Sequence, residues 1–404
     1  MVRKASNKEN VLLFDVGTTR IKVAILRDGK FLKSTELGSP DNMYLNRVFR
    51  ISERMLEKQK DYFGDTGVIG GQGDRFLTVK EASKIRSFAE EVPVLIGAYS
   101  TNEDIVRTAY KSLFDEIERD YDIALKEKDR KSWKIMVAHA LTESTHATRN
   151  LGKMHEEILH DLGFSEVFTN NQVFFDILSQ KEVIQEYIGF DNIVFQIVNF
   201  GGGDVKTCAI TEEPDSETVK REQLGGQDVL NYAIKVFNET HPREKIYDST
   251  IMQDWLEKYG NADGKAQRVK VNYPSDAEVW VEQELNAPAG YFEPWKIGLP
   301  VKVRSVMDIL RESLSISREK GGDNLIRDLL NCVLITGGGV KFGGVKERLE
   351  RELNETFKHI TTSPENIHVV PAKNPVFSCL QGMKIYLYNM IRLRKTEEIA
   401  WVTA

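Results

Sequence analysis

Apolar positions near the start of the chain follow two different spacings on either side of a short turn. An uninterrupted apolar run covers 11–14 and ends at Asp15, and small residues follow it. Beyond the turn, apolar residues recur at every second position over 20–25. Continuous and alternating apolar runs of this length are typical of β-strands, so the sequence predicts a β-hairpin here.

The same pattern occurs again in the middle of the chain. A strand is expected over 193–198, which is apolar except for Gln196, the glycine-rich stretch 199–204 follows it, and a second strand is expected over 205–210. Strand, small-residue turn and strand again predict a hairpin. We interpret the two hairpins as one motif used twice.

Apolar residues three and four positions apart predict helices elsewhere in the chain. The spacing is clearest over 102–120, where Thr101 and Asp104 are expected to cap the helix start. Near the C-terminus, a strand at 333–335 runs into a glycine-rich turn. The helix expected after it carries on one face Val345, Leu349, Leu353 and Phe357.

Composition narrows the class of protein. The chain has 404 residues, 41% of them hydrophobic and 29% charged, with a net charge of −6. At about 100–200 residues per domain, this suggests two or three domains, and the composition excludes a mainly disordered chain. No apolar run approaches the roughly 18–20 residues of a membrane helix, and the mild negative charge gives no indication of nucleic-acid binding. Three cysteines that lie far apart argue against a disulfide framework and for a reducing compartment. Taken together, these observations lead us to expect a soluble cytoplasmic α/β protein.

Three glycine-containing turns follow predicted strands and are the candidate binding elements. The first, second and third glycine turns lie at 15–19, 199–204 and 336–339. None contains the pattern of a P-loop, and the third has Phe342 where a dinucleotide-binding fingerprint requires a third glycine. A P-loop enzyme and a Rossmann dehydrogenase are therefore disfavoured. Each turn taken alone is as compatible with a purely structural role, because glycine is common wherever φ is positive.

Taken together, the three turns fit a phosphate site that includes a cation. Asp15 ends a buried strand, and the small residues after it leave backbone N–H groups free to face an anion. A carboxylate beside phosphates requires a cation between them, and Mg²⁺ needs only one or two carboxylates besides phosphate oxygens. The second turn could hold the same phosphates from the opposite side, and the third could approach a base or ribose.

In this order, the turns resemble those of the actin-like ATPase superfamily, which also contains sugar kinases and the large heat-shock chaperones. The segment 15–22 resembles the first phosphate loop, 199–204 the second, and 336–342 the adenosine motif. Other segments are similar to actin itself, and most of all to archaeal actins of the crenactin type or a divergent actin-related protein. These segments are 224–232, 291–299 (the hydrophobic plug), 376–382 and 401–403.

The resemblance implies an α/β actin-like fold, in which two RNase-H-like domains enclose a nucleotide cleft and each carries an inserted subdomain. Domain I would cover 1–188, with 36–98 as inserted subdomain 2. Domain II would cover 189–375, with about 227–305 as inserted subdomain 4, and 376–404 would return to domain I.

The resemblance also implies roles for individual residues. Asp15 is expected to hold Mg²⁺ through water, and Gln172 to orient the attacking water. Asn199 stands where the family normally has an acidic residue, and Lys206 where actin has a histidine. An amide can still orient a water, but it cannot accept a proton as a carboxylate does. ATP or ADP is expected to contact Gly17, Thr18, Thr19, Lys22, Gly201, Gly202, Gly203, Asp204, Glu257 (at the ribose), Gly337, Gly338, Gly339 and Phe342.

The implied function is a cytoskeletal ATPase of the cytoplasm that binds Mg-ATP, forms filaments with its own copies and hydrolyses ATP slowly. Hydrolysis would be in-line attack of water, catalysed mainly by positioning and charge neutralisation. Regulators of the actin-binding type are candidate partners, and neither nucleic acid nor a transmembrane segment is expected. Two alternatives remain open. One is a non-polymerising subunit of a larger assembly, which Asn199 and Lys206 make credible; the other is a small-molecule kinase on the same fold.

We predict that filament formation depends on two segments, the glycine-rich 64–76 and the apolar 295–299. Filament subunits need a protruding element for longitudinal contact, and an exposed apolar patch would supply the lateral one. Replacing both segments with Ser/Gly linkers should abolish ATP-dependent sedimentation at high speed. Normal sedimentation of the altered chain would rule this assignment out.

Overall fold

Alternating strands and helices of the α/β class make up the chain. The computed structural model describes residues 9–18, 20–32, 43–51, 75–78, 90–93, 102–189, 193–247, 249–273, 278–360 and 367–402. The strands are β1 (Val11–Val16), β2 (Arg20–Arg27), β3 (Lys30–Phe31), β4 (Met43–Leu45), β5 (Arg47–Ile51), β6 (Arg75–Leu77), β7 (Glu90–Pro93), β8 (Lys134–His139), β9 (Glu166–Asn171), β10 (Val194–Phe200), β11 (Val205–Thr211), β12 (Glu213–Pro214), β13 (Lys220–Glu222), β14 (Val269–Asn272), β15 (Glu278–Val281), β16 (Val333–Thr336) and β17 (Val369–Pro371). The α-helices are α1 (Glu103–Tyr121), α2 (Glu127–Arg130), α3 (Thr145–Asp161), α4 (Gln172–Ile188), α5 (Gly226–Thr240), α6 (Ser249–Tyr259), α7 (Val306–Leu330), α8 (Val345–Phe357) and α9 (Ser378–Val402).

Two compact units divide the chain, and the same sheet topology occurs in both. The first unit consists of Met1–Ala140 and Arg149–Asn171, and the second of Leu141–Thr148 and Gln172–Ala404. The first sheet has the strand order β3-β2-β1-β8-β9, and the second has β12-β11-β10-β16-β17. In each, a three-stranded antiparallel part is followed by two parallel strands. A sixth strand, β4 or β13, pairs with the second strand of the hairpin. Both predicted hairpins are confirmed, and they occupy equivalent positions in the two sheets.

The helices follow the same order along both halves of the chain. α1 precedes β8, α3 lies between β8 and β9, and α4 follows β9. In the second half α7 precedes β16, α8 lies between β16 and β17, and α9 follows β17. The interpretation of one motif used twice therefore extends from the hairpins to the order of the sheet strands and of the three long helices in each half.

The boundary between the units differs from the expected domain boundary after residue 188. α4 belongs to the second unit because Val173, Val183 and Ile184 are buried in the same hydrophobic cluster as residues of the second sheet. α9 belongs to that unit as well and packs along α4. A Cβ on Gly382 would overlap the carbonyl oxygen of Phe175, so glycine is what allows the two helices to approach this closely.

Additional elements are inserted at the same point of each half, between the sixth strand and the next long helix. In the first unit they form a three-stranded sheet, β6-β5-β7, within the expected subdomain 36–98. In the second they are α5, α6 and the hairpin β14–β15, within 227–305. The assignment of these segments as subdomains 2 and 4 stays a prediction. Residues 64–74 of the predicted filament contact lie outside the described residues, whereas Trp295 of the other segment is 58% exposed.

Local details of the predicted helices are mostly confirmed. α1 matches the helix expected over 102–120, but its cap is Asn102, whose Oδ1 accepts hydrogen bonds from the N–H groups of Asp104 and Ile105. Thr101, the expected cap, lies outside the described residues. The four apolar residues predicted for one face of α8 are all buried. Among the helices of the described chain, none is long and apolar enough to span a membrane.

Two histidines are buried in the first unit next to a tyrosine. Tyr110 Oη lies 2.8 Å from His155 Nδ1, and the rings of His155 and His139 stack with centroids 6.1 Å apart. Burial lowers the pKa of His139 to about 4 and that of His155, which also faces His139, to about 3. Both rings are therefore neutral in the folded protein at pH 7.

We predict that mild acidification destabilises the folded chain through these histidines. Unfolded histidine has a pKa near 6.5, so between about pH 6.5 and 4 the unfolded chain binds more protons than the folded one. The free energy of unfolding should fall as the pH falls, by up to about 1.4 kcal/mol per pH unit for each histidine. In His155→Gln, urea denaturation should show a shallower pH dependence. The exposed His160→Gln serves as the control; equal slopes for the two variants would contradict the prediction.

Candidate functional site

The first hairpin ends in a buried ion pair. Asp15 and Lys22 are directly opposite each other on β1 and β2, and Lys22 Nζ lies 2.6 Å from Asp15 Oδ2. Asp15 is only 1% exposed, and a buried charge is costly unless a partner of opposite charge lies beside it. The pair holds a carboxylate and an ammonium group at the base of the first glycine turn.

A hydrogen bond of Gly17 closes the first glycine turn. The Gly17 N–H donates to the carbonyl oxygen of Arg20 at 3.1 Å, and a Cβ at Gly17 would meet that same oxygen. Asn46 Nδ2 donates to the Gly17 carbonyl at 2.8 Å and ties the turn to β4–β5. Of the other expected contact residues, Thr18 is half-buried and Thr19 lies outside the described residues.

The second hairpin repeats the register of the first with a different residue at the inner position. Asn199 is opposite Lys206 on β10 and β11, just as Asp15 is opposite Lys22. Because Asn199 carries no charge, Lys206 has another partner: its Nζ lies 3.5 Å from Oδ2 of the buried Asp204. Both departures from the family pattern thus lie at one cross-strand position.

Backbone amides at the second glycine turn are held in a fixed arrangement by α5. The N–H groups of Gly226 and Gln227 donate to the carbonyl oxygens of Gly201 and Gly202, at 2.9 and 2.8 Å. Within the described ranges, the N–H groups of Gly202 and Gly203 donate to no protein acceptor. Consecutive backbone N–H groups of this kind make a site for an anion.

The third glycine turn lies beside the second. Asn199 and Thr336 are neighbours on the parallel strands β10 and β16. Gly337, with φ of +88°, follows, and a Cβ there would overlap the carbonyl oxygen of Phe200. Gly338 faces open space. The backbone at Gly338 is therefore the part of this turn that a ligand could approach.

A tyrosine that the sequence did not single out supports these two turns. Tyr291 is completely buried, and a Cβ on Gly339 would overlap its hydroxyl group. Within the described residues the hydroxyl makes no hydrogen bond, and burial, with a smaller effect from Asp228, raises its pKa. Phe342, expected beside the adenosine, is 4% exposed and stacks on Tyr291 at 6.4 Å between centroids.

Glu257 lies beside the third turn, although the sequence placed it only loosely. Lys341, from the short 3-10 helix that follows this turn, has its Nζ 2.6 Å from Glu257 Oε2. Gln253 Nε2 donates to Glu257 Oε1 at 2.8 Å. The N–H of Gly343 donates to the Leu256 carbonyl at 3.0 Å, which joins the end of α6 to the end of the turn.

A pocket opens next to Asn199 within the second unit and brings the expected catalytic amides together. Its empty volume is about 350 Å³, which includes space open to solvent. Gln172 at the start of α4 and Asn199 on β10 both line this pocket, so a helix and the sheet each contribute an amide to it. The lining residues are Leu141, Gln172, Val173, Asp176, Ile197, Asn199, Lys206, Thr207, Cys208 and Val219.

Asp176 is the residue of this pocket that sequence reasoning missed. It is 1% exposed and lies one helical turn after Gln172, on the same face of α4. Ser378 Oγ donates to Asp176 Oδ1 at 2.5 Å, and Thr336 Oγ1 donates to Asp176 Oδ2 at 3.5 Å. The sequence did offer one signal for Asp176, its position four residues after Gln172 in the same predicted helix. Nothing in the neighbouring residues indicated that α4 would pack on the second sheet.

The expected site residues that the structure describes are divided between the two units. Asp15, Gly17, Thr18 and Lys22 belong to the first unit, and the others that are described belong to the second. No group of three or more His, Cys, Asp or Glu residues among the described residues could hold a metal. Mg²⁺ needs fewer protein ligands because it keeps most of its waters, and the buried Asp15 carboxylate at the first turn fits that requirement.

The chain matches no protein-family model, and no curated protein sequence matches it.

We predict that two adjacent glycines of the third turn differ sharply in what they tolerate. Gly337→Ala combines an unfavourable positive φ, which costs about 1–2 kcal/mol, with an overlap on the Phe200 backbone. The free energy of unfolding should fall by about 2 kcal/mol or more. Gly338→Ala is the matched control, because its Cβ meets nothing and its φ is not positive. Equal stabilities in chemical denaturation would contradict this description of the turn.

Proposed function

We propose that the chain is an actin-like ATPase that binds one Mg-ATP with its glycine turns, hydrolyses it slowly and polymerises into cytoplasmic filaments. The observation that carries the proposal is the duplicated order of strands and helices, with a polar residue opposite a lysine at the end of each hairpin. A duplicated sheet of this order is what two RNase-H-like domains require. The three glycine turns occur in the order that the resemblance implies.

Each hairpin carries groups that suit phosphate. The free N–H groups of Gly202 and Gly203 suit phosphate oxygens, and Lys22 suits them through its charge. Asp15 would hold Mg²⁺ through water, and when bound the ion neutralises charge on the phosphates. Lys22 pairs with the Asp15 carboxylate at 2.6 Å and fixes its position.

The adenosine would lie at the third turn. Gly338 leaves room there, and Glu257 with its partner Lys341 provides polar groups beside it. Because Phe342 is buried against Tyr291, its proposed role is to support the turn from behind. Gly337 and Gly339 would serve the same purpose, since larger residues would collide with Phe200 and Tyr291.

Hydrolysis would take place beside the pocket that contains Gln172 and Asn199. Both side chains are amides, which orient a water by hydrogen bonds without removing its proton. Catalysis would therefore rest on positioning and charge neutralisation, and we expect a slow rate. This chemistry favours the ATPase over the small-molecule kinase, because the one aspartate lining the pocket has its carboxylate oxygens engaged by Ser378 and Thr336.

Nucleotide binding is the first experiment. Calorimetry should detect one ATP per chain in the presence of Mg²⁺, and EDTA should weaken binding. Asp15→Ala should lower the affinity about 10–100-fold in Mg²⁺, the usual cost of losing a group that orients a metal. Asp254→Ala, which removes an exposed carboxylate on α6, is the charge-matched control. Wild-type affinity in Asp15→Ala would reject this cation site, and a wild-type chain that binds no ATP would reject the function.

A further inference from the structure

A line of buried polar side chains connects α9, α4, β16 and β10. Ser378 Oγ donates to Asp176 Oδ1 at 2.5 Å, Thr336 Oγ1 donates to Asp176 Oδ2 at 3.5 Å, and Asn199 Nδ2 donates to Thr336 Oγ1 at 2.9 Å. Ser378, Asp176 and Thr336 are at most 2% exposed, so water does not compete for these bonds. We name this set of four residues the relay.

The chemistry of the four groups fixes the direction of every hydrogen bond. Ser378 and Thr336 both donate to Asp176, which accepts with its two carboxyl oxygens. A hydroxyl has a single hydrogen, and Thr336 gives its hydrogen to Asp176. Thr336 can then only accept from its other neighbour, so Asn199 must present its NH₂ group to it. The nitrogen and oxygen of an asparagine amide are normally hard to tell apart, so the group can be placed in two orientations. Here the hydrogen bonds of the relay permit only one of them.

The consequence is that Asn199 presents its oxygen to the second glycine turn. A Cβ built on Gly201 would lie 3.3 Å from Asn199 Oδ1. This oxygen is an acceptor at the place where the family's acidic residue would offer one. The carboxylate that position 199 lacks is present two hydrogen bonds away, as Asp176, on the far side of Thr336.

We propose that the relay is a positioning device: the Asp176 carboxylate, acting through Thr336, holds the Asn199 oxygen towards the second glycine turn, where it orients water for hydrolysis. The orientation of Asn199 follows from the relay alone, and its catalytic consequence rests on the proposed ATPase function. Asp176 is a positioning residue and takes no proton from the water.

The orientation can be tested without nucleotide. In the full-length chain labelled with ¹⁵N-asparagine, the side-chain amide signals of Asn199 are those that disappear in Asn199→Asp. Thr336→Val removes the acceptor and Asp176→Asn lets Thr336 donate to Asn199 instead, so both variants should shift these signals. Thr336→Ser keeps the hydroxyl group and should restore the wild-type signals. Unchanged signals in both Thr336→Val and Asp176→Asn would overturn the relay.

The catalytic consequence requires single-turnover hydrolysis of Mg-ATP. Thr336→Val and Asp176→Asn should slow hydrolysis about 10–100-fold, with ATP affinity little changed. In an Asn199→Asp background the same changes should have little effect on the rate, because a carboxylate presents an oxygen in either orientation. A merely structural role would lower the rate by the same factor in both backgrounds and would refute the proposal. If the wild type binds no ATP, the proposed function fails and the amide signals decide the relay; melting temperatures identify any variant that does not fold.

Discussion

The register of the two hairpins is the constraint on which the rest of the site depends. It places residue 15 opposite Lys22 and residue 199 opposite Lys206, at the last but one pair of residues before each glycine turn. A buried carboxylate there requires a cation across the strands, and the first hairpin provides it at 2.6 Å. With an amide at position 199 this requirement disappears in the second hairpin. The site there is organised by hydrogen bonds to β16 and α4.

Backbone packing against the second hairpin is equally strict. Phe200 ends β10, and the third turn passes so close to its carbonyl oxygen that only glycine fits at position 337. From the other side, the first amides of α5 bond to Gly201 and Gly202. The second turn is thus fixed by contacts from two other segments, which keeps its amides in place before any ligand binds. Preorganisation of this kind lowers the entropy cost of binding an anion.

Local patterns in the sequence predicted the parts of the fold that depend on neighbours in the chain. The hairpins, α1 and the apolar face of α8 follow from spacing, and all are present. The role of Asp176 could not be predicted, because its partner Ser378 is 202 residues away and the spacing of α4 does not reveal which sheet covers it. The burial of Phe342 against Tyr291 has the same origin, since it depends on the inserted segment before α7.

The pairing of α4 with α9 also determines when the second unit can be completed during synthesis. α4 leaves the ribosome long before α9 does. Asp176 cannot form its hydrogen bond with Ser378 until 202 more residues have been synthesised. Until then Phe175, which is fully buried in the finished protein, and its neighbours on α4 lack the helix that packs along them. Contacts this distant in the chain form slowly, and apolar surface that stays exposed in the meantime favours aggregation. α9 therefore closes the unit, and a nascent chain that stops before it leaves the apolar face of α4 exposed, so that chaperones must shield it.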